Sequence, residues 1–265
     1  MKNLIILVIM FFTLSVSAQD TSLYLRKEYV NAEGKVLPYR ILYPENYDKS
    51  KKYPVILFLH GAGERGNDNT KQLTHGSRLF LADSNRKKFP CFVIIPQCPQ
   101  DGYWSSAKID RSTSPITIGF DYEATGITWP LQSAIDIVKQ LTKDEKVDRK
   151  RIYITGLSMG GMGTFEAVYR NPGLFATALP ICGGGDTVHY DNRVKAVPFW
   201  IFHGDADAVV NVNLSRSMVA KLKASGVNVK YTEYPGVNHN SWDNAFAEPT
   251  YLSWMFSQKR KKVKW

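Results

Sequence analysis

The sequence predicts a single α/β domain, in which a mostly parallel central sheet carries helices on both of its faces. Its 265 residues suit one large domain and are too few for two comfortable ones. Hydrophobic residues make up 44% of the chain and aromatic residues 12%, enough for a sizeable core. Short apolar runs alternate with helical segments, an order typical of parallel strands joined by right-handed crossovers.

The strands are predicted from short apolar and β-branched runs. Residues 23–30 and 37–43 alternate as an antiparallel pair around a turn at 31–34. Further buried strands are predicted at residues 53–59, 91–95, 152–155, 175–181, 198–202 and 227–234. Helices are predicted at residues 72–82, 129–141, 164–170 and 214–224, and the second has apolar residues at the spacing of a helix packed on a sheet.

The strand at 152–155 leads directly into Gly156-Leu-Ser158-Met-Gly160, and helical composition follows. Strand, sharp turn and helix in this order form the context of a nucleophile elbow. Glycines suit the turn because a strained serine there needs neighbours without Cβ atoms, so that strand and helix can approach. Ser158 is therefore the predicted nucleophile.

An acid and a histidine follow Ser158 in the chain order expected of an α/β-hydrolase, Asp207 and then His239. Each lies just past the end of a predicted strand, where ligands bind in parallel sheets. A serine needs a base to take its proton, histidine can take and return it, and a carboxylate fixes the imidazole tautomer. Asp205 is expected to bond the turn backbone. The alternative acids are Asp205, Asp186 and Asp243.

The oxyanion of such a reaction needs two backbone N–H donors, for which Met159 and Ala62 are the predicted sources. A local ion pair between Glu64 and Arg65 is expected to hold the loop that contains Ala62, with contact to substrate as the alternative. Residues 102–126 are the longest stretch without clear periodicity, which is typical of a lid or an insertion. Trp104 at its start is predicted to stack on substrate, with a purely structural role as the alternative.

Four motifs together resemble secreted esterases of carbohydrate esterase family 1 and the related polyhydroxybutyrate-depolymerase-like proteins. They are His60-Gly-Ala-Gly-Glu-Arg-Gly66, Gly156-Leu-Ser-Met-Gly160, His203-Gly-Asp-Ala-Asp207 and Gly236-Val-Asn-His-Asn-Ser-Trp242. The resemblance covers residues 53–256 and implies feruloyl or acetyl esters on plant polysaccharide as substrates. The insertion at 102–126 departs from it, since it matches no lid of these families.

Residues 1–18 are predicted to be a signal peptide, with Lys2 before an apolar run and small residues at the cleavage site. The mature catalytic domain would span 19–265, without a membrane anchor, and be secreted or periplasmic. The net charge of +10 owes five charges to the last seven residues, so the basic tail at 259–264 is interpreted as solvated. No motif indicates nucleic-acid binding.

No cofactor is expected, because the sequence has neither a phosphate loop nor a dinucleotide fingerprint. No metal site is expected, because the histidines are scattered and the three cysteines lack paired spacing. Cys91 and Cys98 bracket one strand and would lie about 20 Å apart, whereas a disulfide needs about 7 Å. The strand order implied by the resemblance also separates Cys98 from Cys182, so all three thiols are expected to be free.

The sequence thus predicts a secreted serine hydrolase that cleaves carboxylic esters through a Ser-His-Asp acyl-enzyme mechanism. The alternatives are a general short-chain carboxylesterase, a peptidase of the prolyl-oligopeptidase type, and a non-catalytic binding protein on the same fold. The peptidase normally carries a large substrate-screening domain, for which this chain has no room. A lipase would have a broad apolar lid, whereas residues 102–126 are largely polar.

Overall fold

A computed structural model describes residues 21–113 and 116–261, and its main feature is an eight-stranded sheet. The strands of this sheet are β1 (Tyr24–Val30), β2 (Val36–Leu42), β3 (Tyr53–Leu59), β4 (Phe92–Pro96), β7 (Val147–Leu157), β8 (Thr177–Ile181), β9 (Phe199–Gly204) and β10 (Val229–Tyr234). A separate antiparallel hairpin consists of β5 (Lys108–Asp110) and β6 (Thr117–Gly119). The helices are α1 (Ser77–Leu81), α2 (Asp83–Lys88), α3 (Trp129–Asp144), α4 (Met159–Arg170), α5 (Asn213–Ala224), α6 (Trp242–Ala247) and α7 (Tyr251–Ser257).

The sheet has the strand order β1-β2-β4-β3-β7-β8-β9-β10. Strand β2 pairs antiparallel with both β1 and β4, and every other neighbouring pair is parallel. Strand β3 is central, and its Ile56 pairs with Val93 of β4 and Tyr153 of β7. The predicted fold class, a mostly parallel sheet in one α/β domain, is confirmed.

Helices cover both faces of the sheet, and the alternation of side chains along β3 shows this directly. Val55, Leu57 and Leu59 point into the core cluster that contains Phe165 of α4. Ile56 and Phe58 belong to the other cluster, which contains residues of α1 and α7. Every residue of β3 is buried, as expected for a strand covered on both sides.

One helix prediction is wrong in its extent. Residues 72–82 were expected to form a single helix, but a 3₁₀ turn at Lys71–Leu73 is followed by α1. Gly76 separates the two with φ +75°, and a Cβ atom there would lie 2.6 Å from the ring of Phe58. The sequence also gave no signal for α2, α6, α7 or the β5–β6 hairpin, all of which are short.

The insertion at residues 102–126 is anchored to helix α4 by the fully buried carboxylate of Glu166. This carboxylate accepts hydrogen bonds from Ser105 Oγ at 2.9 Å and from the backbone N–H of Ser106 at 2.7 Å. Arg170, one turn along α4, pairs with Glu166 at 2.8 Å and also donates to two backbone carbonyls of the insertion. The insertion is therefore built into the domain rather than lying over it as a detached loop.

The predicted signal peptide at 1–18 and residues 262–264 of the basic tail lie outside the described residues. Within the part of the chain that the structure covers, no helix has the length and apolarity needed to cross a membrane. Cys91, Cys98 and Cys182 are all buried and free, which confirms the prediction of unpaired thiols.

Candidate active site

Ser158 occupies the sharp turn between β7, which ends at Leu157, and α4, which begins at Met159. Its backbone has φ 54° and ψ −117°, a conformation that non-glycine residues rarely adopt. A Cβ atom on Gly160 would lie 1.9 Å from the carbonyl oxygen of Leu59, and one on Gly156 would lie 2.5 Å from the Gly160 oxygen. The glycines are required by close backbone approach, as the sequence predicted.

His239 lies between Ser158 and Asp207 and hydrogen-bonds to both. Its Nε2 atom is 3.0 Å from Ser158 Oγ, and its Nδ1 atom is 2.8 Å from Asp207 Oδ2. The side chain of Asp207 is fully buried, whereas that of His239 is 19% exposed. Ser158 is partly exposed as well. The structure thus brings together the three residues predicted to act as nucleophile, base and acid, with the serine accessible and the carboxylate shielded.

The carboxylate of Asp207 is held by donors on both of its oxygens. Oδ1 accepts from the backbone N–H groups of Val209 and Val210, each at 2.8 Å. Oδ2 faces Nδ1 of His239 at 2.8 Å and Nε2 of His203 at 3.2 Å. Burial raises the pKa of Asp207, but the hydrogen bonds from His203, His239 and Val210 outweigh it and hold the pKa well below the usual range. The carboxylate therefore stays ionised.

The alternative acids have other partners. Asp205 accepts from the backbone N–H of Gly236 at 2.6 Å, which confirms its expected turn role. Asp186 faces His189 Nδ1 at 2.7 Å, and Asp243 accepts from the side chain of Asn240. Among the described residues, Asp207 is the acid that contacts His239.

His203 has a role that the sequence analysis did not assign to it. It is fully buried, with Nδ1 2.7 Å from Ser215 Oγ and Nε2 2.9 Å from the carbonyl oxygen of Val210. Neither that carbonyl nor the ionised Asp207 carries a proton, so Nε2 must be the protonated, donating nitrogen. Its position four residues before Asp207, at the end of β9, was the available signal.

His60 is also buried, and burial lowers its pKa to about 4. Its Nδ1 lies 2.6 Å from the Gly61 carbonyl oxygen, and its Nε2 accepts from the N–H of Cys98 at 2.9 Å. These bonds tie the loop after β3 to the segment after β4. His60 is therefore a neutral structural residue.

The predicted oxyanion donors both lie beside the nucleophile. Met159 is the first residue of α4, and Ala62 is the first residue of a 3₁₀ turn at Ala62–Glu64. The first N–H groups of a helix lack acceptors within it, so they are available to a developing negative charge. A Cβ atom on Gly61 would lie 3.7 Å from that of Ser158, which places this loop against the elbow. Their role as donors stays a prediction.

The predicted stacking of Trp104 on substrate is wrong. Its side chain is 0% exposed, and its indole N–H donates to the carbonyl oxygen of His60 at 3.1 Å. A Cβ atom on Gly163 would lie only 2.6 Å from Trp104 Cβ, so the tryptophan packs tightly on α4. An indole enclosed in the core presents no face to a ligand, and the structural alternative holds.

The expected ion pair between Glu64 and Arg65 is also wrong. Arg65 instead donates to the backbone carbonyls of Ala62 and Gly102, at 3.0 and 3.3 Å. Glu64 lies 3.7 Å from Nε2 of His75. Arg65 still holds the loop, but through backbone acceptors, which sequence patterns do not reveal.

Among the residues that the structure describes, two groups of side chains have possible metal-ligating atoms within 4.8 Å of one another: Cys182, Asp207 and His239, and Asp121, Asp186 and His189. In the first group Asp207 and His239 bond each other at 2.8 Å, and in the second Asp186 and His189 bond each other at 2.7 Å. In each group a hydrogen-bonded pair of an acid and a histidine accounts for the closeness of two of the three residues. The expectation of no metal site stays a prediction.

The fold and the site are those of an α/β-hydrolase. A parallel sheet carries a strained serine after a central strand, a histidine after the last strand and, between these two in the chain, a buried acid. Comparison with known families is more specific. The chain belongs to the phospholipase/carboxylesterase family, whose model matches residues 46–249. Its enzyme class is therefore that of carboxylic ester hydrolases.

Several known proteins are similar to this chain. It is 29% identical over 198 residues to acyl-protein thioesterase 1 of Neurospora crassa, covering 70% of this chain and 80% of the thioesterase. It is 33% identical over 190 residues to the bifunctional acetylxylan esterase/xylanase of Neocallimastix patriciarum, covering 69% of this chain but only 23% of that protein.

Solved structures give the same fold. A thermostable esterase superposes with a TM-score of 0.81 and 38% identity, covering 90% of this chain and 64% of its own. A CE1 ferulic acid esterase from Anaeromyces mucronatus superposes with a TM-score of 0.61 and 17% identity, covering 86% of this chain and 90% of its own. At that identity the second likeness concerns the fold alone. The resemblance to esterases inferred from the motifs is confirmed.

Proposed function

We propose that this protein is a secreted serine esterase that removes acetyl or feruloyl groups from plant polysaccharide through an acyl-enzyme. The observation that carries the chemistry is the hydrogen-bonded series in which His239 Nε2 lies 3.0 Å from Ser158 Oγ and His239 Nδ1 lies 2.8 Å from Asp207. A serine, a base and a buried carboxylate in this arrangement are the minimum set for nucleophilic acyl transfer.

In the first half-reaction His239 accepts the Ser158 proton as Oγ attacks the ester carbonyl carbon. The resulting oxyanion accepts hydrogen bonds from the N–H groups of Met159 and Ala62. His239 then donates the proton to the departing alcohol oxygen, which leaves Ser158 acylated. The ionised Asp207 stabilises the positive charge that His239 carries between these steps.

Water completes the second half-reaction. His239 takes a proton from the water as its oxygen attacks the acyl carbon, and it returns the proton to Ser158 Oγ as the C–O bond breaks. The carboxylic acid is released and the enzyme is restored. No group outside the chain is consumed except water and the ester.

The choice of acyl group is supported by the relatives and by the insertion. One relative is described as an acetylxylan esterase/xylanase, and the structural neighbours include a ferulic acid esterase. The β5–β6 hairpin exposes charged and threonine residues rather than a broad apolar face. A small or planar acyl group with a sugar on the alcohol side agrees with these features better than a long acyl chain.

Hydrolysis of acyl thioesters is the second candidate, favoured by the similarity to acyl-protein thioesterase 1 over 80% of that protein's length. A substrate panel separates the two. Purified mature protein would be assayed on p-nitrophenyl acetate, butyrate and octanoate, on methyl ferulate, on acetylated xylan and on an octanoyl thioester, with Ser158→Ala as the blank. Preference for acetyl or feruloyl esters, with release of acid from xylan, supports the proposal. Rates that rise with acyl-chain length and are highest on the thioester would contradict the proposal and support thioester hydrolysis instead.

Export rests on residues 1–18 and is tested separately. Expression of the full chain with its native N-terminus, followed by N-terminal sequencing of the extracellular or periplasmic protein, is expected to give a chain starting near Gln19. A variant lacking residues 2–18 should stay in the cell. Recovery of the full chain with Met1 intact inside the cell would contradict export.

A further inference from the structure

The end of the sheet remote from Ser158 carries an open cleft of about 780 Å³, between the loop that precedes β3 and the segment joining α3 to β7. Six cationic side chains line it, and all six are exposed. They are Lys49, Lys52, Lys143, Lys146, Arg149 and Lys150, here called the basic face. We propose that the basic face binds an acidic polysaccharide and so holds the enzyme on a polyanionic matrix.

The cleft keeps an excess of positive charge, because six cations and three carboxylates line it. The carboxylates of the cleft have other partners: Asp148 pairs with Arg151 at 2.7 Å, Asp144 accepts from the Gln140 amide, and Glu145 accepts from the Tyr43 hydroxyl. Within residues 21–113 and 116–261, none of the six cations forms an ion pair with a carboxylate. An excess of three positive charges around one concave surface gives a positive potential there.

The described part of the basic tail, residues 259–261, continues this surface. The backbone N–H of Arg260 donates to the carbonyl oxygen of Lys150 at 2.8 Å, and the Arg260 guanidinium donates to the carbonyl of Gly173 at 2.6 Å. These two bonds fix the chain beside the cleft, and the neighbouring Lys259 and Lys261 are exposed. Residues 259–261, the described part of the tail that the sequence alone presents as a solvated run, are therefore an extension of the basic face.

The basic face lies at the opposite end of the sheet from Ser158, so a polymer bound there leaves the candidate active site open. Strand β7 begins at Val147 in the cleft and ends at Leu157, directly before Ser158. Strand β3 pairs Tyr53 with Val147 and Leu59 with Gly156, so at about 3.3 Å per residue the two ends of β7 lie roughly 20 Å apart. A polymer bound to the basic face therefore does not cover the nucleophile, and ester groups on neighbouring chains of the matrix remain accessible to it.

The chemistry of the cleft favours a carboxylated polysaccharide over other polyanions. Five of the six cations are lysines, which act as flexible point charges and lack the planar guanidinium with which arginine binds phosphate bidentately. The one aromatic residue lining the cleft, Tyr47, is half-buried and bonded to Glu145, so it offers no open ring for base stacking. The exposed large apolar side chains of the described residues lie elsewhere, so no apolar anchor for a membrane accompanies the charge. The choice of a polysaccharide rests on the proposed function.

The test is direct binding of the purified protein to polygalacturonate, measured by calorimetry or affinity electrophoresis. The test variant is Lys52→Gln/Lys143→Gln/Lys146→Gln/Lys150→Gln. The matched control removes four exposed charges elsewhere: Lys27→Gln/Lys87→Gln/Lys88→Gln/Lys223→Gln. Wild type and control should bind at low ionic strength and progressively lose binding as salt shortens the screening length from about 30 Å to about 8 Å. The test variant should bind about ten-fold more weakly, because exposed charges attract a polyanion mainly through the local field.

All three proteins should hydrolyse p-nitrophenyl acetate at the same rate, since a small neutral ester does not need the basic face. Equal loss of binding in the control variant would show that net charge alone is responsible, and would overturn the proposal. Tighter binding to vesicles containing anionic lipid, or to duplex DNA, than to polygalacturonate would also overturn it. Because binding is measured without turnover, the binding result can be interpreted even if the protein proves not to have the proposed esterase activity.

Discussion

His203 and His239 share one acceptor, the Oδ2 atom of Asp207, which lies 3.2 Å from Nε2 of the first and 2.8 Å from Nδ1 of the second. Two backbone N–H groups, from Val209 and Val210, occupy the other carboxylate oxygen. Four donors therefore fix the carboxylate, and through it the orientation of the His239 ring. His203 is thus a positioning residue for His239.

Replacing His203 by leucine should lower kcat about ten-fold, because a hydrogen bond to a charged group contributes roughly 1.5–3 kcal/mol. The lost donor leaves more negative charge on Asp207 for His239, which stabilises protonated His239. The acidic limb of the kcat/KM profile should therefore move to higher pH. The measurement is the pH profile for p-nitrophenyl acetate.

Ser215→Ala is the matched control, since it removes the partner of His203 Nδ1 without touching Asp207. It should leave the acidic limb where it is in the wild type. Identical profiles for His203→Leu and wild type would show that His203 only fills space.

Asp207→Asn should lower kcat by about 10⁴-fold, because an amide stabilises the wrong tautomer of His239. Asp205→Asn should cost little turnover, since Asp205 accepts a backbone N–H of the turn at Gly236. Both variants would be compared at saturating p-nitrophenyl acetate, with circular dichroism to confirm folding. A severe loss in the Asp205 variant with a mild one in the Asp207 variant would reverse the assignment.

On the acidic side of the pH optimum, activity should depend on the protonation of a single group. Burial raises the pKa of Asp207, but hydrogen bonds from His203, His239 and Val210 hold it well below the ordinary value of about 3.9, so it stays charged above that pH. Its contribution to stability is present above that value and is lost only as pH falls through the lowered folded pKa. A plot of log kcat/KM against pH should thus have a slope of about one, from protonation of His239. A slope near two above pH ~4 would mean that Asp207 titrates too.

Trp104→Ala should destabilise the protein by about 3–5 kcal/mol, since a buried aromatic side chain is replaced by a cavity. The His60 carbonyl oxygen also loses its indole donor. Trp104→Phe keeps most of the ring volume and should cost less. Urea unfolding measures both. At temperatures where the variants are folded, the rates on acetylated xylan and on p-nitrophenyl acetate should change together. A selective rise in KM for xylan would return Trp104 to the substrate site.

The sequence indicates the residues around Ser158 well, because their positions follow from local rules. A run such as residues 53–59 is apolar throughout, so its burial as a central strand is visible without the fold. The elbow glycines are recognised from the local pattern Gly-x-Ser-x-Gly. Asp207 and His239 are recognised because they follow Ser158 in the expected order and lie at the carboxyl ends of strands, where ligands bind.

The errors at Trp104 and in the helix expected at 72–82 depend on contacts between distant parts of the chain. Trp104 is buried because the carbonyl of His60 and helix α4 close around it. Glu166 looks like an ordinary charged residue of a helix, yet two serines of the insertion and Arg170 enclose its carboxylate. Such partners become adjacent only when the sheet is assembled, so no local pattern marks them.

The central claim, that Ser158 is the nucleophile of an acyl-transfer centre, is tested most directly by active-site labelling. The mature protein would be treated with a fluorophosphonate ester and its peptides analysed by mass spectrometry, beside Ser158→Ala. We expect one adduct per chain, located on Ser158, with loss of esterase activity in proportion to labelling and no adduct in the variant. Absence of an adduct on Ser158, or equal labelling of Ser158→Ala, would contradict the account.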